Sequence, residues 1–165
     1  MVLDLIHEGY QVFPLMGNHE QMVLQDYESL EDLIFYPDGV PENKEGLKYV
    51  FQEYIDFFYN LPYYYQIEDF ILVHAGFDIY AENPFDNFEA MLWQRNFDDA
   101  GNISQRIIHG HDSTYLPIIE AAINDDEQII NIDNGVTSSK WEKGHLLCLN
   151  LQTLHLYKKA CLDKK

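Results

Sequence analysis

Val12-Phe13-Pro14-Leu15-Met16 runs directly into Gly17-Asn18-His19-Glu20, and the reading of that junction as a buried strand emptying into a polar loop decides the fold. Two later segments repeat the pattern. Leu72-Val73 leads into His74-Ala75-Gly76, and Ile107-Ile108 leads into His109-Gly110-His111-Asp112. An Asn and two His carried on three strand ends can converge on one metal ion. His19 cannot point the same way as its neighbour Asn18, so it is placed to protonate a leaving group. Any one of these histidines alone reads as an ordinary polar loop residue; three segments in this order point to a built site.

The strands and helices around these loops are legible in outline. Val2 to Glu8 reads as the end of a helix stopped by Gly9, and Tyr10 to Met16 as a short buried strand. Gln21 to Phe35 reads as helix, broken by Pro37-Asp38-Gly39 and Pro41. Leu47, Val50, Phe51, Tyr54, Ile55 and Phe58 share one apolar face of a second helix that Asn60-Leu61-Pro62 ends. Strands dominate thereafter. Tyr63 to Ile67 and Phe70 to Val73 form a tight hairpin about Glu68-Asp69. Phe88 to Trp93 is a short helix, and Ile107-Ile108, Ile129 to Ile132, Leu146 to Leu149 and Leu154 to Tyr157 are strands, the last two joined near Gln152-Thr153. Helices first and strands later predict an α+β sandwich rather than a doubly wound sheet.

Composition bounds the function. The 165 residues, 47% hydrophobic and without repeats or a Pro-, Gly- or Ser-rich linker, read as one domain spanning 1–165. Twelve Tyr and ten Phe assign much of the core to rings. Acids outnumber bases 28 to 10, and a net charge of −18 disfavours nucleic acid or an anionic membrane as a bulk partner. Cys148 and Cys161 form no CxxC pair and suggest no disulfide framework. The N-terminus shows neither a basic leader nor a long apolar run, which makes a cytoplasmic setting the expectation.

Imidazole nitrogen and amide oxygen suit borderline divalent metals, so Asn18, His74 and His111 are the candidate metal ligands, with Mn expected and Fe or Zn as alternatives. His109, two residues from His111, reads as structural. These motifs together resemble the phosphoprotein phosphatase branch of the calcineurin-like metallophosphoesterases, particularly its bacterial members. Leu92-Trp93-Gln94-Arg95-Asn96-Phe97 is similar to that family's W-x-R-x-F stretch, and Asn131-Ile132-Asp133-Asn134-Gly135 to its N-I-D-x-G strand. The resemblance implies a metallophosphoesterase-like β-sandwich flanked by helices. It also implies that Asn18, His74 and His111 bind the second of two metals, that His19 is the general acid, and that Arg95 clamps substrate phosphate, a task suited to its fork of donors.

Two departures qualify what the resemblance implies. Where the family has GHT followed closely by Pro, this chain has His111-Asp112-Ser113-Thr114-Tyr115-Leu116 before Pro117. The family's opening GDxHG and GDxxDRG motifs, which supply the first-metal ligands and the bridging aspartate, are not in the sequence, and Val2 to Ile6 resembles the helix that follows them. The domain is therefore expected to be truncated at its N-terminus, to hold at most one ion where its relatives hold two, to expose a sheet edge open to self-association, and to have little activity as given. Three functions remain open: the favoured one, for the complete parent protein, is a phosphomonoesterase of phosphorylated Ser or Thr or of small phosphate esters; the alternatives are a symmetrical diadenosine tetraphosphate hydrolase and an inactive fragment or binding module. Metal content separates the last from the first two.

Overall fold

The computed structural model describes residues 2–29, 54–138 and 142–161. The chain divides into two compact units, Met1–Pro62 and Tyr63–Lys165. The predicted turn at Pro37 to Pro41, the end of the helix predicted to Phe35, and the first half of the apolar face at Leu47, Val50 and Phe51 lie outside the described residues.

The first unit begins with α1 (Val2–His7). Gly9 sits at φ +89° and donates to the Ile6 carbonyl, while Tyr10 donates to the Leu5 carbonyl. That pair of bonds closes the helix in the motif glycine permits because it carries no Cβ. Residues 10–17 are not a strand but an irregular extended segment, a correction to the expected Tyr10 to Met16 strand. Pro14 at its centre has no N–H to give a ladder, and Met16 N–H bonds the Pro62 carbonyl. Then comes α2 (Asn18–Ser29), which starts inside the GNHE motif, three residues earlier than the sequence suggests. Residues 54–59 are helical, with Ile55 fully buried and Phe58 half-buried as the apolar face requires, but Tyr54, expected on the same face, is exposed, a correction to that reading.

The second unit is built on a four-stranded sheet of order β1 (Tyr64–Ile67), β2 (Phe70–Val73), β3 (Arg106–His109) and β4 (Ile129–Asn131). The first two strands form the expected hairpin, Ile67 opposite Phe70, and Glu68 takes φ +51° to make the two-residue turn. The pairs β2–β3 and β3–β4 are parallel. That wiring was not evident from an order of helices followed by strands, because the crossovers are irregular or short. One holds α3 (Phe88–Trp93), capped by the Asn87 side chain accepting from Ala90 N–H. The other holds α4 (Leu116–Asn124), which the sequence reading lacks. Pro117 lies in its first turn, where a missing N–H costs nothing, and Ile119 and Ala122 are its buried side. A second sheet pairs β5 (His145–Leu149) with β6 (Leu156–Ala160), Leu149 opposite Leu156. Asn150 accepts from Gln152 and Thr153 N–H and Leu154 takes φ +54°, which moves the last strand two residues beyond its expected start.

The core of this unit gathers Ile71, Val73, Phe77, Met91, Phe97 and Ile107, with Tyr64 and Phe85 packed against it. Rings supply much of its volume: Phe77 meets Phe85 at 5.1 Å and Phe97 at 6.2 Å. Ile107, Ile108 and His109 are buried in succession, the pattern of an interior parallel strand covered on both faces. The two histidine-bearing loops leave the C-terminal ends of adjacent parallel strands, β2 and β3.

Candidate metal centre

In the first unit, the GNHE motif is a helix start. Glu20 accepts from Gly17 N–H at 3.1 Å, and Gln21 N–H bonds the Gly17 carbonyl, so the glutamate closes half of a capping box. Asn18 and His19 are thereby the first two residues of α2, about 100° apart around its axis. Asn18 is buried and His19 exposed. Their side chains thus leave the helix in different directions.

In the second unit, the ends of β2 and β3 bring two imidazoles together. His74 Nε2 lies 3.1 Å from His111 Nδ1, with the rings 5.0 Å apart and tilted by 60°. The backbone makes this pairing: Gly110 N–H donates to the His74 carbonyl at 2.9 Å, tying one loop to the other. His111 is held at φ +69°, a conformation that costs an ordinary L-residue about 1–2 kcal/mol and that concentrates at functional sites. The edge-on Trp93 ring, 6.0 Å away, packs beside it.

His109 is turned away: residues two apart on an extended chain would share a face, but the left-handed backbone at His111 breaks that alternation. It is 5% exposed, its ring meets Phe97 edge-on at 5.5 Å, and its Nδ1 lies 3.2 Å from the Gly110 carbonyl. Loss of solvent lowers its pKa, against smaller opposing effects of backbone carbonyls and of Asp112 and Asp133.

Arg95 leaves the loop that follows α3. That loop is seated through Phe97, whose ring lies over Gly76; a Cβ at Gly76 would stand 2.7 Å from Phe97 Cγ. Ala75 N–H bonds the Met91 carbonyl at 2.8 Å, so His74 and the segment bearing Arg95 share one scaffold. Gly76→Ala should therefore destabilise the chain by about 1–3 kcal/mol, through overpacking rather than through backbone strain. Urea unfolding would measure it, and an unchanged midpoint would show that Phe97 has room to yield.

Asp112, beside His111, reaches across to the same loop. One carboxylate oxygen accepts from Arg95 Nη1 and the other from Asn96 N–H, both at 3.2 Å. The late Asn131 to Gly135 segment braces this turn from behind. Asn131 Nδ2 donates to the Asp112 carbonyl at 2.8 Å, Thr114 N–H to the Asp133 carbonyl at 2.9 Å, and Asn134 Nδ2 to the Thr114 carbonyl at 3.0 Å. Sequence reading placed these residues in a strand and missed their bracing role. The signal was the run of Asn and Asp, residues whose side chains bond nearby backbone.

The 3.1 Å contact is that of an imidazole–imidazole hydrogen bond, and its length is also compatible with two nitrogens sharing one divalent ion. Two imidazole nitrogens bonded at about 2.1 Å to one ion stand about 3.0 Å apart at a right angle and about 3.4 Å apart at a tetrahedral angle. The separation of 3.1 Å lies between these. Among the described residues, no group of three or more His, Cys, Asp or Glu gathers at one point, so carboxylates do not complete a set of that kind there. No helix of the described residues is long and apolar enough to cross a membrane.

The calcineurin-like phosphoesterase family matches residues 1–147, nine-tenths of the chain, and the chain belongs to that family. No curated protein and no solved structure matches it significantly. Membership brings metal-dependent phosphoester hydrolysis, with divalent metal ions as the general cofactor.

Proposed function

We propose that this member of the calcineurin-like phosphoesterases has a fold built for phosphate monoesters, in the manner of the Ser/Thr phosphatase branch, with a site in which His74 and His111 bind a divalent ion, and that this chain turns such esters over only slowly. The observation that carries the reading is the 3.1 Å approach of two imidazoles delivered by adjacent strand ends. Asn18 is read as a further ligand and His19 as the general acid, on the likeness of the GNHE segment to the family's motif. Mn is the expected metal. A bound divalent ion supplies positive charge at the phosphoryl oxygens and acidifies a water at neutral pH.

The protein groups divide the rest of the work. Arg95 donates to equatorial phosphate oxygens and orients the ester for in-line displacement. His19 gives a proton to the departing oxygen, which avoids expelling an alkoxide. The Asp112 bridge and the Phe97 contact on Gly76 hold Arg95 relative to the strand end that carries His74. A phosphorylated Ser or Thr or a small phosphate ester satisfies these contacts equally.

The donor set also limits activity. Two cations about 3.5–4 Å apart need negative charge between them, which neutral imidazoles and an amide do not provide. Titrating the purified chain with Mn²⁺ by electron paramagnetic resonance is expected to show one bound ion per chain and little hydrolysis of an aryl phosphate, with His19→Ala removing whatever turnover there is. No bound Mn²⁺ would overturn the metal-site reading and leave a binding module. Robust turnover that His19→Ala does not affect would overturn the acid assignment.

A further inference from the structure

The aspartate that takes the place of the family's threonine after the last histidine is placed to act on the phosphate clamp. Asp112 spans Arg95 Nη1 and Asn96 N–H, one oxygen to each, both at 3.2 Å. It is held from both sides. Asn131 fixes its carbonyl at 2.8 Å, and Asn96, at φ +51°, turns its N–H to the carboxylate. The side chain is 35% exposed and that of Arg95 59%, so solvent and anions reach both. A cleft of about 510 Å³ opens beside Asp112, lined by Asp98, Asp112 and Glu127 among others but by neither Arg95 nor any other Arg or Lys. The cation offered to a phosphate is thus already faced by a carboxylate, in surroundings that add negative rather than positive charge.

We infer that Asp112 sets the charge selectivity of the Arg95 clamp, weakening the binding of dianionic phosphates more than that of monoanionic ones. The inference rests on the reading of Arg95 as the phosphate clamp. A phosphate on the guanidinium comes to about 5 Å from the Asp112 carboxylate, where each unit of negative charge meets a repulsion that costs about fourfold in affinity in water-like surroundings. A dianion bears that cost twice, about 16-fold in all. The distance is shorter than the screening length of about 10 Å at 0.1 M salt, so moderate ionic strength leaves the effect largely in place. A threonine at position 112 would impose no such cost. With Asp112 in place, the clamp's preference for the more highly charged ester is about fourfold smaller than it would be without it.

The test uses methyl phosphate, a dianion at pH 8, and dimethyl phosphate, a monoanion at any pH near neutrality. Each is titrated into the full chain with EDTA present and followed by ³¹P nuclear magnetic resonance. Asp112→Asn is expected to tighten methyl phosphate about 16-fold and dimethyl phosphate about fourfold, so that the preference for the dianion rises about fourfold. Asp112→Ala, which also removes the charge but keeps no acceptor for Asn96 N–H, should shift that preference by the same factor whatever it does to each affinity. A shift of Arg95 itself changes both ligands together and cancels in the ratio. Equal changes for the two ligands, or none, would overturn the inference and leave Asp112 as a positioning residue only. Binding that Arg95→Ala leaves unchanged would instead overturn the clamp reading beneath it.

Discussion

His111→Ala is expected to lower the affinity of the chain for Mn²⁺ by on the order of 100-fold or more, since loss of residues that merely support a ligand already costs 10–100-fold. His74→Ala should do the same. The two ring nitrogens stand 3.1 Å apart at the ends of neighbouring strands, so removing either leaves a single imidazole from this pair. His111→Gly separates function from stability. At φ +69° a glycine is unstrained where histidine and alanine are not, so the glycine variant should lose the metal equally and yet unfold at about 1 kcal/mol higher free energy than His111→Ala. Calorimetric Mn²⁺ titration and urea unfolding of the three proteins decide the matter. Unchanged Mn²⁺ affinity in both alanine variants would refute the centre, and equal stability of the Gly and Ala variants would refute the strain.

What could be read from the chain, and what could not, follows from where each kind of information resides. The hairpin about Glu68-Asp69, the helix at Phe88 to Trp93 and the strand that delivers His109 were legible because burial and turn chemistry act within a few residues. The parallel pairing of β2, β3 and β4 was not, because strand neighbours are chosen by long-range packing that no local pattern records. Pro14 shows the opposite failure: the apolar run around it looks like a strand, but a residue without an N–H cannot supply a ladder bond, and the segment stays irregular. α4 was overlooked because Pro117 reads as a breaker unless it is recognised as the first turn. At the site, an extended chain would send His109 and His111 to the same face, yet one is packed on Phe97 while the other meets His74, because His111 leaves the extended conformation. The left-handed backbone at His111 and the Asp112 bridge to Arg95 are tertiary facts with no signature in the order of residues.

Asn134→Ala is expected to destabilise the chain by about 3 kcal/mol. The side chain is 1% exposed and serves several partners at once. Its Nδ2 donates to the carbonyls of Thr114 at 3.0 Å and Glu142 at 2.8 Å, and its Oδ1 accepts from His145 N–H at 3.0 Å. One amide thus joins the loop after β3, the turn before β5, and β5 itself. Truncation leaves these part-buried backbone groups without that partner, at about 1–3 kcal/mol for each one that neither water nor another group satisfies. The midpoint of thermal unfolding should fall by roughly 6–12 °C for a domain of this size. Asn134→Asp should be worse than Ala relative to its volume, because a carboxylate keeps the acceptor for His145 but presents two carbonyls with an oxygen in place of the donor, and buries a charge as well. The functional consequence runs through Thr114, three residues from His111. If that anchor holds the His111 turn in its left-handed form, the folded Asn134→Ala protein should bind Mn²⁺ more weakly than the native chain while Asn150→Ala, which loosens only the β5–β6 turn, should not. Equal Mn²⁺ affinity in both variants, measured below the melting range, would confine Asn134 to stability and remove it from the support of the metal centre.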